Sequence, residues 1–330
     1  MPAVVGRCLG IGVLGCADIA LRRFLPAVVR SDKARLVGIA GRDSLKASSV
    51  ARNYACAAMS FTELLQSEQV DLVYVPLPNH LHEEWTIDSL NRKKHVLCEK
   101  PLGLSPESVG RMLNAAELNG RLLYENLMYL QHPQHAVIRE MLTTGRIGHV
   151  TGLNCVFTIP TLKQDNFRMD PTKGGGAFHD LNRYPLSAAL YFLNGEIKDI
   201  ARCDCVRRDD MIMSMELEAR TTAGEMFSFS IAFGRPYRSY YEISGTRGAL
   251  RLERAFTPPA DYGCSLDICS NGSRETVIMA QHDHFQMTID HVADLISEGR
   301  DFSAEHERAL ALAVAADRIL RHARDKEGLQ

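Results

Sequence analysis

Residues 10–24, GIGVLGCADIALRRF, decide the fold of the first part of the chain, and they fit three patterns. Read from Gly10, the stretch matches G-x-G-x-x-G. Read from Gly15, it matches the same fingerprint with alanine at its second and third small positions. Residues 13–16, VLGC, also match the lipoprotein box that ends a signal peptide. The point at which the preceding apolar run ends decides among the three.

That apolar run, RCLGIGVLG, ends at Gly15 and has the length and composition of a parallel strand buried on both faces. Apolar residues then recur at helical spacing from Ile19 onward, so we expect a helix to begin near Asp18. A dinucleotide fingerprint belongs to the turn between strand and helix, where backbone N–H groups and the helix dipole meet the pyrophosphate. The sequence therefore favours the reading from Gly15, with Ala17 facing the pyrophosphate; a plain strand-to-helix turn is the alternative.

The second predicted strand, ARLVGIA at residues 34–40, carries the information on the cofactor. A site for NAD places Asp or Glu at the end of this strand, where the carboxylate binds the ribose hydroxyls. Here Arg42 and Lys46 follow the strand instead, and two cations suit the 2′-phosphate of NADPH. We therefore predict NADPH as the cofactor, with a solvated loop of ordinary surface charges as the alternative.

Strands and helices alternate as far as Asn126, which predicts an α/β domain with a doubly wound parallel sheet of the Rossmann type. From Gly148 the pattern changes to strand-like runs at short spacing, and two helices are predicted at 284–298 and 303–324. These runs predict an α+β domain with a mostly antiparallel open sheet. We expect a dinucleotide-binding domain at 1–126 and a substrate-binding and oligomerisation domain at 127–330.

Composition excludes several classes of function. The formal net charge of the 330 residues is −2, so no basic excess points to nucleic acid or an anionic membrane as a partner. No apolar run reaches the ~18 residues that a membrane-spanning helix needs. The nine scattered cysteines fit reduced thiols, and the strand–turn–helix pattern runs through Cys16, so we expect a cytoplasmic protein rather than an exported lipoprotein. The histidine pairs 80/82 and 282/284 lack ligand partners at metal-site spacing, so we expect no metal.

Four motifs in order resemble the Gfo/Idh/MocA oxidoreductases. They are the turn at 15–20, PLPNHLH at 76–82, EKPL at 99–102 and GGGAFHDLNRYP at 174–185. Within that family, residues 126–135, 157–160 and 236–259 look most like the dTDP-sugar 3-ketoreductases of antibiotic deoxysugar pathways. The resemblance spans essentially the whole chain. It implies NADPH-dependent reduction of the 3-keto group of a dTDP-linked deoxyhexose.

The resemblance also implies the catalytic residues. Lys100 follows a strand at the carboxyl edge of the sheet, where it can bond the ketone oxygen and the developing alkoxide. Tyr184 occupies a position where many relatives carry His, and its phenol can donate the proton; Asp180 is expected to tune the lysine. The family pattern suggests a cis bond between Lys100 and Pro101. Relatives carry Gly where this chain has Asn182, so we expect a strained backbone there.

The remaining predicted contacts follow from the turn and the resemblance together. The residues predicted to bind the cofactor are Gly15, Cys16, Ala17, Asp18, Ile19, Arg42, Lys46, Pro76, Leu77, Asn79, His82, Glu99, Asn126 and Arg168. Those predicted to hold thymine and diphosphate are Phe157, Tyr237 and Arg238, because aromatic rings stack on bases and guanidinium groups bind phosphates.

Two other functions stay open at this point. One is an NAD(P)-dependent dehydrogenase of a free sugar or cyclitol, and the other is a non-catalytic NADP-binding regulator. Retention of Lys100 and Tyr184 argues against the regulator, and the aromatic and arginine residues at 235–256 favour a nucleotide sugar over a free one. We expect a homodimer or homotetramer.

Overall fold

The computed structural model describes residues 8–327 of the chain. Its strands are β1 (Leu9–Leu14), β2 (Ala34–Ala40), β3 (Ala57–Met59), β4 (Leu72–Val75), β5 (His95–Glu99), β6 (Leu123–Asn126), β7 (Val150–Ile159), β8 (Ile197–Arg208), β9 (Met211–Thr221), β10 (Met226–Phe233), β11 (Arg238–Gly245), β12 (Gly248–Glu253), β13 (Ser265–Ser270) and β14 (Ser273–Ile278). Its α-helices are α1 (Leu25–Arg30), α2 (Ser44–Asn53), α3 (Phe61–Gln66), α4 (His82–Asn91), α5 (Pro106–Asn119), α6 (Pro133–Thr143), α7 (Ala177–Leu181), α8 (Arg183–Phe192), α9 (His284–Ser297) and α10 (Ser303–Glu327).

The first sheet is the predicted doubly wound parallel sheet. Its strand order is β3-β2-β1-β4-β5-β6, and every neighbouring pair is parallel. All six residues of β1 and all four of β4 are buried, which explains why these strands are continuously apolar. The direction of winding reverses between β1 and β4, and open sheets of this kind bind ligands beside the carboxyl ends of the strands at such a point.

The second sheet has the order β14-β13-β12-β11-β7-β10-β9-β8 and is mostly antiparallel, as predicted. Its one parallel pair among the described strands joins β7 and β10. Strand β9 shows how the faces divide: Met215, Leu217 and Ala219 are buried, whereas Glu216 and Glu218 point away from them towards solvent. This alternation leaves one face of β9 in the core and the other hydrated.

By packing, the chain divides into two compact units, and each of them is built from two stretches of sequence. The first unit runs to Met128 and takes in His284–Ala311, and the second comprises Tyr129–Asp283 and the chain from Leu312. The unit of the parallel sheet thus includes α9 and the start of α10, which the sequence prediction had placed with the second domain. The limits predicted for the functional domains, 1–126 and 127–330, stay a prediction.

Three further observations concern membrane spans, disulfides and metal ligands. Among residues 8–327, none of the helices is both long and apolar enough to cross a membrane. All nine cysteines fall within the same residues, and none of them forms a disulfide there. No group of three or more metal-ligating side chains occurs in this described part of the chain.

Candidate active site

The turn after β1 has the geometry that the reading from Gly15 requires. Gly15 has φ +105°, a conformation that side chains disfavour, and its N–H donates to the carbonyl of Ala40 at 2.6 Å. A Cβ atom at this position would lie 2.9 Å from Cδ2 of Leu77. The close approach of the segment after β4 therefore also requires glycine here. The helical chain begins at Asp18, as predicted, and continues through a π-helical stretch, Ala20–Phe24, into α1. The backbone thus presents a helix start at the carboxyl edge of β1.

Positive charge collects beside this turn. Arg42 and Lys46 are both exposed, and Nζ of Lys46 donates to the carbonyl of Cys16 at 2.9 Å. The carboxylate nearest the end of β2, Asp43, is engaged in capping α2, where it accepts the N–H of Lys46 at 2.9 Å. Burial raises the pKa of the Cys16 thiol, against the opposing effect of Lys46. The turn therefore offers two cations, and Asp43, the acid that follows β2, is committed to capping the helix.

The segment after β4 carries four of the residues predicted to bind the cofactor. Pro76 is buried, and Leu77 reaches the position beside Gly15 described above. Asn79 is buried at the start of a short 3-10 turn, and His82 is fully buried at the first position of α4. Both ring nitrogens of His82 face backbone carbonyls, so the ring is enclosed by the protein's own main chain.

Lys100 lies directly after β5, at the edge of the sheet that the sequence predicted. The bond to Pro101 is cis, which confirms the prediction. The preceding residue, Glu99, is fixed from both sides: the hydroxyl of Tyr74 and Nδ2 of Asn126 each donate to its Oε1 at 2.6 Å. The structure thus brings together Glu99 and Asn126, which are both predicted to bind the cofactor, at the strand end that carries Lys100.

The first unit fits a nicotinamide dinucleotide on two independent observations. One is the glycine turn at the helix start, which a Cβ would fill. The other is Oδ1 of Asn126, which is buried and has no hydrogen-bond partner within residues 8–327. A buried acceptor without a donor is costly, and a carboxamide N–H from a bound molecule would satisfy it.

In the second unit, Asp180 pairs with Arg168. Their Oδ1 and Nε atoms are 2.9 Å apart, and the Asp180 side chain is only 10% exposed. Sequence reasoning had assigned these two residues to different roles. The expected strain at Asn182 is wrong: with φ −61° and ψ −31° it is ordinary right-handed helix joining α7 to α8. Asparagine adopts that conformation without cost, so the missing glycine needs no compensation.

Tyr184 lies on α8 among aromatic rings and is 4% exposed. Its ring meets Phe157 edge-on, with 4.7 Å between centroids, and lies 5.5 Å from Phe256. The hydroxyl of Tyr129 donates to the backbone carbonyl of Tyr184 at 3.1 Å, which fixes this turn of the helix. The packing restricts the ring to one orientation, a property that a directional proton donor needs.

The residues predicted to bind thymine and diphosphate lie close to one another in the second unit. Phe157 is buried, and its ring contacts both Tyr184 and Tyr237, the latter with 6.3 Å between centroids. Tyr237 is 37% exposed, and its hydroxyl shares a 2.6 Å hydrogen bond with Thr257. Arg238 is exposed and donates to the hydroxyl of Tyr240 at 2.8 Å. An aromatic row therefore leads from the buried Tyr184 to the surface.

Sequence reasoning missed three residues of these networks. Tyr74 lies within the apolar run of β4, and the sequence gave no sign of its contact with Glu99. Glu125 accepts the N–H of Leu102 at 2.9 Å, and its position next to Asn126 was the available signal. Arg254 lies over the ring of Tyr237, 4.7 Å from its centroid.

Two family models match the chain. Residues 9–127 match the model of the oxidoreductase family with an NAD-binding Rossmann fold, and residues 135–251 match the GFO/IDH/MocA C-terminal domain. These two matches cover most of both units.

Individual proteins similar to this chain support the same family. The chain is 34% identical over 281 residues to a dTDP-3,4-didehydro-2,6-dideoxy-alpha-D-glucose 3-reductase of Saccharopolyspora spinosa, covering 84% of this chain and 85% of the relative. It is also 34% identical to the enzyme of that name from Actinomadura kijaniata, covering 96% of both chains. A variant of a 3-ketoreductase from Actinomadura kijaniata, solved with TDP-benzene and NADP, superposes with a TM-score of 0.91 at 32% identity, covering 96% and 98% of the two chains. The chain belongs to the GFO/IDH/MocA oxidoreductase family.

Proposed function

We propose that this chain reduces the 3-keto group of a dTDP-linked keto-deoxyhexose with NADPH. The observation that carries the proposal is the fixing of Lys100 at the end of β5, where buried Tyr74 and Asn126 hold the adjacent Glu99. A lysine in that position faces the edge at which open parallel sheets bind their ligands. The relatives named as 3-reductases of a dTDP-linked sugar supply the substrate class.

The chemistry needs one hydride and one proton. NADPH held at the Gly15 turn and beside Asn126 would supply a hydride, which converts the C=O bond of the ketone to a C–O single bond. The ammonium group of Lys100 donates a hydrogen bond to the ketone oxygen and stabilises the negative charge that develops there. The hydroxyl of Tyr184 transfers its proton to the same oxygen, so that the products are an alcohol and NADP⁺. Asp180, paired with Arg168, is proposed to act on this proton donor and lysine through its charge.

A comparison of positions supports these two roles. Solved structures of the Actinomadura kijaniata 3-ketoreductase include variants in which one lysine became alanine or glutamate and one tyrosine became phenylalanine. Those two positions are 84 residues apart, the same separation as Lys100 and Tyr184. Phe157, Tyr237 and Arg238 are proposed to hold the nucleotide end of the substrate, since their rings and charge suit a base and a diphosphate.

The setting of the reaction is part of the same proposal. A reduced dTDP-deoxyhexose can donate its sugar to an antibiotic. We therefore propose that the enzyme acts in the biosynthesis of antibiotic deoxysugars. The absence of disulfides among the nine cysteines is consistent with work in the cytoplasm. The assembly is proposed to be a homodimer or homotetramer.

Steady-state reduction of a dTDP-3-ketosugar, with cofactor binding followed separately by fluorescence, tests the proposal. Tyr184→Phe should lower turnover by roughly 10²–10⁴-fold if it is the sole proton donor, and by less if Lys100 shares the role. Lys100→Ala should lower turnover at least as much, because it also removes electrostatic stabilisation of about 3–4 kcal/mol. NADPH affinity should hardly change in Tyr184→Phe.

Tyr191→Phe on the same helix and Lys163→Ala in an exposed loop are the matched controls, and both should keep wild-type turnover. If Lys100→Ala and the double variant with Tyr184→Phe both keep near-wild-type turnover, the two residues are structural and the proton donor lies elsewhere. Reduction of free sugars in preference to the nucleotide sugar would assign the chain to the sugar dehydrogenases instead.

A further inference from the structure

His82 has an unusual environment for a residue predicted to bind a cofactor. Its side chain is 0% exposed, and it starts α4 beneath two backbone segments. Nδ1 lies 2.8 Å from the carbonyl oxygen of Pro101, and Nε2 lies 2.8 Å from the carbonyl oxygen of Leu77. The ring therefore bridges two loops and has no nitrogen left for a ligand.

The chemistry of the bridge depends on its protons. A carbonyl oxygen only accepts hydrogen bonds, so the neutral ring can donate to one of the two loops and the imidazolium to both. Burial lowers the pKa of His82, whereas both carbonyl contacts and the nearby carboxylates of Glu99 and Glu125 act in the opposite direction. In each protonation state at least one loop is tied to the ring.

Each bridged loop adjoins a different part of the proposed site. Pro101 is bonded directly to Lys100, and the N–H of the following Leu102 is held by Glu125 at 2.9 Å. Leu77 reaches the glycine turn, where its Cδ2 would lie 2.9 Å from a Cβ on Gly15. The Nδ1 side of the ring thus borders the catalytic lysine, and the Nε2 side borders the dinucleotide turn.

We propose that His82 is a positioning residue that sets the backbone of Lys100 through Pro101 and the backbone of the dinucleotide turn through Leu77. This rests on the proposed function for the role of Lys100. The sequence had suggested that His82 contacts the cofactor directly. In this proposal it acts instead through two backbone carbonyl groups. The two ring contacts, with Pro101 and with Leu77, should consequently control different kinetic constants.

Two conservative variants separate the two bonds, because the amide nitrogen of Asn overlays Nδ1 of His and that of Gln overlays Nε2. His82→Asn keeps the donor towards Pro101 and should keep turnover within about threefold, while the NADPH dissociation constant rises about 3- to 10-fold. His82→Gln keeps the donor towards Leu77 and should keep NADPH affinity, while turnover falls about 10- to 100-fold as the lysine is misplaced. His80→Gln, on the exposed neighbour, is the control and should change neither constant.

Equal losses of both constants in the two variants would make His82 a general packing residue and overturn the proposal. A measurement on the wild type covers the case in which the variants do not fold. In ¹⁵N-histidine-labelled protein, a ring N–H of His82 should exchange slowly with solvent; a fast-exchanging ring would also overturn it. The NADPH titration and the ring spectrum need no sugar. If the wild type binds NADPH but reduces no dTDP-ketosugar, that result contradicts the proposed function and not the role of His82.

Discussion

At the scale of single residues, Arg42 provides the sharpest test of the cofactor. NADPH differs from NADH by the 2′-phosphate, and the exposed guanidinium of Arg42 is the group best placed after β2 to bind it. Arg42→Ala should raise the dissociation constant of NADPH about 10- to 100-fold, corresponding to roughly 1.5–3 kcal/mol for a charge-assisted contact. Binding of NADH should change little. Fluorescence titration with both cofactors measures the two constants directly.

The matched control for this prediction is Arg52. It is also exposed, but it lies in the last turn of α2, ten residues farther along the chain. Arg52→Ala removes the same net charge and should leave both affinities as they were. Equal weakening of NADPH and NADH in Arg42→Ala would sink the assignment to the 2′-phosphate.

At this scale, the sequence predicted features formed by consecutive residues and missed contacts between residues far apart along the chain. The turn at Gly15 was predictable because strand, glycine and helix are consecutive and the required φ follows from their order. The contacts of Glu99 were not, because Tyr74 and Asn126 are 25 and 27 positions away on neighbouring strands. His82 illustrates the same limit. Its motif marked it as important, but only the fold reveals that its partners are carbonyl groups of other loops.

At the scale of elements, prediction succeeded where burial imposes a pattern. The predicted second strand, residues 34–40, coincides with β2. Two of the strands that escaped notice are short or exposed. Strand β3 has three residues, and every residue of β14 is exposed, so neither carries the apolar period from which strands are recognised.

Helix α9 returns to the first unit, and two of its aspartates attach it there. Asp290 accepts a hydrogen bond of 2.5 Å from the hydroxyl of Ser31 in a half-buried place. Asp294 makes two short contacts with Lys33, but both side chains are about half exposed. Exposed ion pairs contribute little, and a negative charge near a helix C-terminus is unfavourable. Asp290→Ala should therefore cost about 1 kcal/mol of stability, and Asp294→Ala less than about 0.5 kcal/mol.

Thermal melting of the two variants at low and high salt measures this difference. The loss in Asp290→Ala should persist in high salt, since it comes from a partly buried hydrogen bond. A larger loss in Asp294→Ala, removed by salt, would mean that the surface pair with Lys33 is what holds α9.

At the scale of the whole molecule, a partly buried histidine in the first unit and a buried one in the second couple stability to pH. Burial lowers the pKa of His95, in the first unit, to about 4, and Arg121 adds to the effect. Burial likewise lowers the pKa of His132, in the second unit, to about 4, with His282 adding to it. A histidine in the unfolded chain has a pKa of about 6.5. Between about pH 4 and pH 6.5 the unfolded chain therefore binds protons that the folded chain does not bind.

Stability should consequently be greatest above pH 6.5 and fall as the pH is lowered towards 4, by up to about 2 kcal/mol per buried histidine at pH 5. Most carboxylates titrate below this window, so the loss between pH 6.5 and 5 reports the histidines. The melting temperature of the wild type should drop by several degrees over this interval. His132→Gln cannot take up the proton, so its own drop should be smaller, whatever its melting temperature at pH 7, whereas the exposed His80→Gln should keep the wild-type drop. Identical pH dependence in His132→Gln and the wild type would show that the His132 ring is hydrated enough to ionise within the folded protein.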